Sequence, residues 1–301
     1  MNNKIIRIGS LNTRSIFKES SHTTQKEFIH YLSDKSLQFD ILCLQEVSSF
    51  HMQDNLSESQ LHSFSTFMFP RTSSIVSKHC AIICFNSDLI LDDCYISNDQ
   101  RSIYCSILSS SGSVLCHITN VYVPASAGDR PAFMSSFMSM PFISMPPHHP
   151  SILVGDFNMS LNKQSVSSLP YVLPFYEWLY TNYNNCFPEG SFTFKRGVHR
   201  STIDFIFAHR SVSTRITNSK IQYLPSSWTD HSLLFVDLVP TRSSIGPGSW
   251  RFNPTLLLEP SFLELLAEAV DLFFDSISSE NDSPQHSWES FKVLLKCVAQ
   301  S

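Results

Sequence analysis

Short apolar runs that end in polar residues recur along this chain, and they are the first clue to its architecture. Residues 5–11, 41–44, 80–85, 114–123, 151–154, 202–208 and 232–239 are rich in Ile, Leu, Val and Phe and four to ten residues long, as buried or half-buried strands are. Between them, residues 23–37 place Phe28, Ile29, Leu32 and Leu37 at helical spacing, with Thr23 or Thr24 as candidate N-cap. Residues 129–140 begin as a helix, with Asp129 as cap and Pro131 in the first turn. Residues 168–183 repeat Tyr171, Phe175, Trp178 and Leu179 three and four apart, which predicts another helix. From Phe64 to Leu108 the pattern predicts successive strands, STFMFP, CAIICFN, CYIS and SIYCSIL, in a largely antiparallel meander. Residues 191–194 predict a strand, 195–200 a basic turn, and 202–208 a further strand carrying Asp204.

Beyond Pro240 the texture changes. TRSSIGPGSW is a serine- and glycine-rich connector, residues 255–275 predict a helix with an acidic side, and residues 288–298 a second helix. The expected organisation is one domain over residues 1–240 and a connector with a helical tail over 241–301.

The polar residues that close the apolar runs form a set: Asn12, Glu46, Tyr122, Asp156, Asn158, Asp204, Asp230 and His231. Each has an ordinary reading. Asn12 and the Asp156-Phe157-Asn158 step suit turns, Tyr122 suits a core position with a satisfied hydroxyl, and Glu46 must be solvated, paired or bound to a cation. Together they suggest more, because adjacent strands of an open sheet bring such ends to one crevice. Several carboxylates sharing a crevice call for a cation, and oxygen ligands favour Mg²⁺ or Mn²⁺ over zinc. A histidine beside one aspartate and oriented by another adds a group able to stabilise or protonate a phosphoryl oxygen.

Composition narrows the classes. The hydrophobic fraction of 42% in 301 residues is that of a globular protein. No apolar run reaches the roughly 20 residues of a membrane span, and no signal peptide is visible at MNNKIIRIGSLN, so the expectation is a soluble intracellular protein with no membrane partner. Cys43, Cys84, Cys105 and Cys116 sit inside apolar runs without a Cys-x-x-Cys pair, as reduced buried thiols do, and Cys80 with Cys84 makes no zinc motif. Of the net charge of -5, residues 241–301 account for -4. Lys195, Arg196, Arg200, Arg210, Arg215 and Lys220 face only Asp204 within 195–220, a cluster suited either to solvent or to a phosphate backbone. His148 and His149 read as solvated residues of a proline-rich connector.

The pieces LNTRS, LQEV, NVYVP, GDFN, STIDFIF and TDHS, in this order over residues 5–239, resemble the endonuclease/exonuclease/phosphatase superfamily. The resemblance implies a four-layer α/β sandwich, two packed mixed sheets flanked by helices. It implies that Glu46 ligates Mg²⁺ or Mn²⁺ with Asn12 and Asp230 beside it, that Asp156 orients or deprotonates the attacking water, and that Asn158 and Tyr122 contact the scissile phosphate. His231, oriented by Asp204, would stabilise the transition-state charge. Ser201 in STIDFIF and Thr193 in SFTF, before the basic turn with Arg196 and Arg200, resemble the endonucleases of non-LTR retrotransposons, and all four are expected substrate contacts. WRFNPTLLLEPSF resembles the connector that leads from such an endonuclease to a reverse transcriptase. No Tyr-x-Asp-Asp follows and the chain stops at Ser301, so a truncated element is expected. CAIICFN lacks the family's glycine-rich entry, and Ala125 stands where many relatives have asparagine. The implied activity is nicking of DNA to leave a 3′-hydroxyl and a 5′-phosphate, with nuclear access, and with element RNA reached only through the missing polymerase. The alternatives are a phosphomonoesterase acting on an inositol phosphate or lipid headgroup, and an inactive nucleic-acid-binding relict.

Overall fold

Alternation along the strands sorts the side chains onto two faces, and in this computed structural model those faces define four layers. Residues 5–16, 23–48, 57–144, 151–240, 254–276 and 284–299 are described. The first sheet joins β1 (Ile6–Asn12), β2 (Ile41–Gln45), β3 (Ser73–Val76), β4 (Cys80–Cys84), β13 (Ile216–Gln222) and β14 (Leu233–Leu238) in the order β13-β14-β1-β2-β4-β3. The second joins β5 (Leu89–Ile96), β6 (Ser102–Ser109), β7 (Val114–Tyr122), β8 (Ser151–Asp156), β9 (Tyr183–Asn185) and β12 (Asp204–His209) in the order β5-β6-β7-β8-β12-β9. Both sheets are mixed: β1 runs parallel to β2 and β7 to β8, and the other pairs are antiparallel.

The inner faces meet in a core of Ile8, Ile41, Cys43 and Ile82 from one sheet against Ile118, Ile152, Val154 and Ile206 from the other. Outer faces are covered by helices. Phe28, Leu32 and Leu61 of helices Thr23–Leu32 and Glu58–Met68 pack on Leu42 and Leu44. Phe133, Phe137 and Phe175 of helices Arg130–Met138 and Leu173–Asn182 pack on Leu153, Phe157 and Phe207. The cysteines named from sequence, Cys43, Cys84, Cys105 and Cys116, are buried free thiols. Among the described residues no helix is long and apolar enough to cross a membrane.

Several expectations change. STFMFP is not a strand: Glu58–Met68 is a helix whose start is fixed by Ser57 and Gln60, each side chain bonded to the other's backbone amide. That capping signal lies upstream of the apolar run and overrides its strand-like content. The first helix ends at Leu32, not Leu37, and Thr23 lies inside it. Asp129 makes no side-chain cap. Residues 168–183 hold the end of a loop and one ten-residue helix, Leu173–Asn182, preceded by the short helix Lys163–Ser167. The basic turn is a hairpin, β10 (Phe194–Arg196) with β11 (His199–Ser201). His148, His149 and residues 250–253 lie outside the described residues.

By its internal contacts the chain divides into two compact units, Met1–Thr241 and Arg242–Ser301. The second holds helices Pro260–Ser276 and Pro284–Val298, where Phe273 and Phe274 lie against Phe291.

Candidate active site

The site forms where β1, β2, β7, β8 and β12 end together. Parallel pairing puts Asn12 beside Gln45 and Tyr122 beside Asp156, and antiparallel pairing puts Asp204 opposite Asp156. Close approach of β7 and β8 depends on Gly155, which has φ +148°; a Cβ there would lie 1.9 Å from the Val121 carbonyl oxygen. Glu46 and Asn158 step out of their strands in left-handed conformations, φ +49° and +50°, which cost energy for residues other than glycine and are maintained by the surrounding bonds.

The side chains form two linked groups. In one, the Asn12 amide donates to Glu46 Oε2 (3.1 Å) and to Asp156 Oδ2 (2.8 Å), and the Tyr122 hydroxyl donates to Glu46 Oε2 (3.4 Å). The Asn158 backbone amide donates to Asp156 Oδ1 (2.8 Å), and its side chain donates to the Val123 carbonyl (2.8 Å). In the other, His231 Nδ1 lies 2.9 and 3.0 Å from the two Asp204 oxygens, and His231 Nε2 lies 3.8 Å from Asp230 Oδ1. Asp156, Asp204 and His231 join the groups, with one ligand atom of each within 4.8 Å of the others.

Of the expected substrate contacts, Thr193 is buried and structural: its Oγ1 accepts from the backbone amides of Ile203 and Asp204, both at 3.0 Å. Arg196 binds Asp230, and Arg200 and Ser201 sit on β11. Arg200 shares with Asp230 and His231 a cavity of about 670 Å³ that Phe192, Phe194 and Tyr223 also line.

Charge burial sets the protonation. Burial and then Asp204 push the Asp156 carboxyl up to about 7, against His231, Asn12 and Asn158, which pull it down. For His231, burial pulls the pKa down, but Asp204, Asp156 and Asp230 together outweigh it and raise the imidazole to about 9. Burial, then Glu46 and Asp156, raise the Tyr122 phenol above its ordinary range.

A divalent cation fits the donors present. Glu46 meets only two neutral donors, and among the described residues no lysine or arginine pairs with it. Its carboxylate oxygens are hard donors of the kind that Mg²⁺ or Mn²⁺ takes. Asp156, Asp204 and His231, with one ligand atom each within 4.8 Å of the others, are three donors close enough together to hold a metal ion.

Four contributors were not nominated from sequence. Thr229 Oγ1 donates to the Asn12 carbonyl (2.9 Å) and accepts from the His231 amide (3.2 Å), tying the two groups together. Gln45 donates to Asn120 Oδ1 (2.7 Å), whose amide donates to the carbonyls of Leu44 and Ala81, a buried polar link between the sheets just beneath Glu46. Arg101 lies over the Tyr122 ring, 5.1 Å from its centroid. Asn120 carried a signal, since a polar residue amid LCHITNVYV must be satisfied. Thr229 and Arg101 carried none.

No family model and no curated protein matches the sequence. Solved structures do share the fold. An AP endonuclease from Archaeoglobus fulgidus matches with a TM-score of 0.55 at 16% identity, over 77% of this chain and 99% of that one. The 3′ phosphatase NExo from Neisseria, bound to a product DNA hairpin, matches with a TM-score of 0.56 at 15% identity, over 77% and 99%. The endonuclease domain of TRAS1, a telomere-specific non-LTR retrotransposon, matches with a TM-score of 0.54 at 12% identity, over 79% and 100%. With its two helix-flanked mixed sheets, the chain shares the α/β sandwich fold of these solved structures.

Proposed function

We propose that this chain is a divalent-metal-dependent phosphodiesterase that nicks one strand of DNA, the endonuclease part of a non-LTR retrotransposon. The observation that carries the reading is the convergence of two hydrogen-bonded groups, Glu46–Asn12–Asp156 and His231–Asp204, with one ligand atom each of Asp156, Asp204 and His231 within 4.8 Å of the others.

Glu46, Asn12 and Asp230 would hold Mg²⁺ or Mn²⁺. Bound there, such an ion would lower the pKa of nearby water and offset the charge that grows on the phosphoryl oxygens. Asp156, whose oxygens are already oriented by Asn12 and Asn158, takes the proton of the attacking water. His231, protonated at neutral pH and held by Asp204 through Nδ1, presents Nε2 to a nonbridging phosphoryl oxygen. Asn158 and Tyr122 position the same phosphate. Arg196, Arg200 and Ser201, on the hairpin beside the cavity, track the DNA backbone, while Thr193 sets the height of Asp204. Hydrolysis leaves a 3′-hydroxyl and a 5′-phosphate. Residues 241–301 are a connector and helical tail of the kind that leads towards a reverse transcriptase.

Incubating the purified chain with supercoiled plasmid and Mg²⁺ tests this reading. Nicked circles with ligatable ends are expected, and their loss in Asp156→Ala and His231→Ala. Phosphate release from inositol phosphates without nicking would replace the nuclease by a phosphomonoesterase.

A further inference from the structure

We propose that Arg196 gates the acidic site, holding Asp230 until a DNA phosphate draws the guanidinium away, so that DNA and a divalent cation bind in concert. The inference rests on the reading above that Asp230 faces a cation.

Arg196 Nε and Nη2 both donate to Asp230 Oδ2, at 2.9 and 2.6 Å, while the arginine side chain remains 71% exposed and the aspartate is 9% exposed. A solvent-facing cation thus neutralises a nearly buried carboxylate. The guanidinium also lies 5.5 Å from the Phe194 ring centroid, and Phe194 pairs with His231. The hairpin base is fixed by main-chain bonds from Lys195 to Asp230 (2.9 Å) and from Ser232 to Thr193 (2.7 Å). Only the arginine side chain has to move.

Two physical facts give this contact a consequence. A guanidinium binds phosphate with the same forked geometry as carboxylate, so incoming DNA competes directly for Arg196. A carboxylate already paired with a positive charge is a poorer ligand for a second cation, which must also approach that charge. DNA that removes Arg196 therefore strengthens cation binding, and linkage requires the cation to strengthen DNA binding by the same factor.

The test is Mn²⁺ titration of the full chain by calorimetry, alone and with a short nicked product duplex, corrected for Mn²⁺ bound by the duplex. In the native chain the duplex should tighten Mn²⁺ about tenfold, and Arg196→Gln should already bind about tenfold more tightly without DNA and gain less than about threefold from it. Lys195→Gln removes the same charge from a neighbour whose side chain makes no bond to Asp230, and should behave as the native chain does. Matching melting curves establish that all three chains are folded. The gate is overturned if Arg196→Gln binds Mn²⁺ as the native chain does, or if Lys195→Gln shifts it equally, since that would be general charge repulsion. If no chain binds Mn²⁺ with or without DNA, the cation reading falls along with the gate; if all bind it alike, only the gate falls.

Discussion

The strand-end lattice and the β10–β11 hairpin sit side by side and obey opposite physics. Asn12, Asp156 and Asp204 are almost wholly buried, and every oxygen of the two aspartates is fixed by an amide or by His231. On the hairpin, Lys195, Arg196, Val198 and Arg200 are exposed. In the lattice a single lost bond leaves a buried group unsatisfied, which is costly. On the hairpin each charge is screened by water and salt and contributes little alone. On the proposed function the lattice carries the chemistry and the hairpin the encounter, and substitutions should separate the two in size and in kind.

The largest effects belong to the lattice. Asp156→Ala and His231→Ala should each lower nicking by about 10³-fold, measured as single-turnover rate on plasmid, with little change in DNA affinity. Gly155→Ala should cost about 3 kcal/mol or more of folding stability by urea titration, since the new methyl meets the Val121 carbonyl at a backbone angle that suits glycine. Thr193→Val, which leaves the amides of Ile203 and Asp204 without their acceptor, should cost about 2 kcal/mol in the same titration.

A smaller effect concerns pH. His231 has a folded pKa of about 9 against 6.5 unfolded, so its contribution is complete below pH 6.5 and fades as pH rises through 9. Metal-free protein should therefore melt a few °C lower at pH 9 than at pH 7. In Asp204→Asn the drop should flatten, because the main charge that raises the imidazole is gone. A native chain with no drop would mean that His231 is not held charged.

The smallest effect lies on the hairpin. Arg200→Ala should weaken DNA binding about two- to fivefold and reduce its salt dependence by about one counterion, leaving the single-turnover rate nearly unchanged. A rate loss as large as that of His231→Ala would move Arg200 into the lattice and erase the contrast.

Much of the lattice was legible because it is periodic. Strand ends such as Leu-Asn12, Gln-Glu46 and Gly-Asp156 announce themselves when an apolar run stops at a polar side chain, and Asp204 stands out between Ile203 and Phe205. Which polar residue bonds which was not legible, since Thr229 and Asn12 are 217 positions apart and their contact depends on the packing of the whole first sheet. The bonds of Thr193 were not legible for the same reason. Residues 191–194 read as a strand, and only the fold places the Thr193 hydroxyl where it accepts from the amides of Ile203 and Asp204, 10 and 11 positions away. The helix over STFMFP shows a local signal defeated by another local signal upstream, the capping pair Ser57 and Gln60.

The place of β14 in the first sheet has a consequence for biosynthesis. β14 lies between β1 and β13, so one whole edge of the N-terminal strand stays open until residues 233–238 have left the ribosome. Asp230 and His231 immediately precede that strand. The nascent chain thus acquires its last acid and its imidazole in the same step that closes its sheet, and a half-made product offers exposed edge to quality control but no assembled active centre.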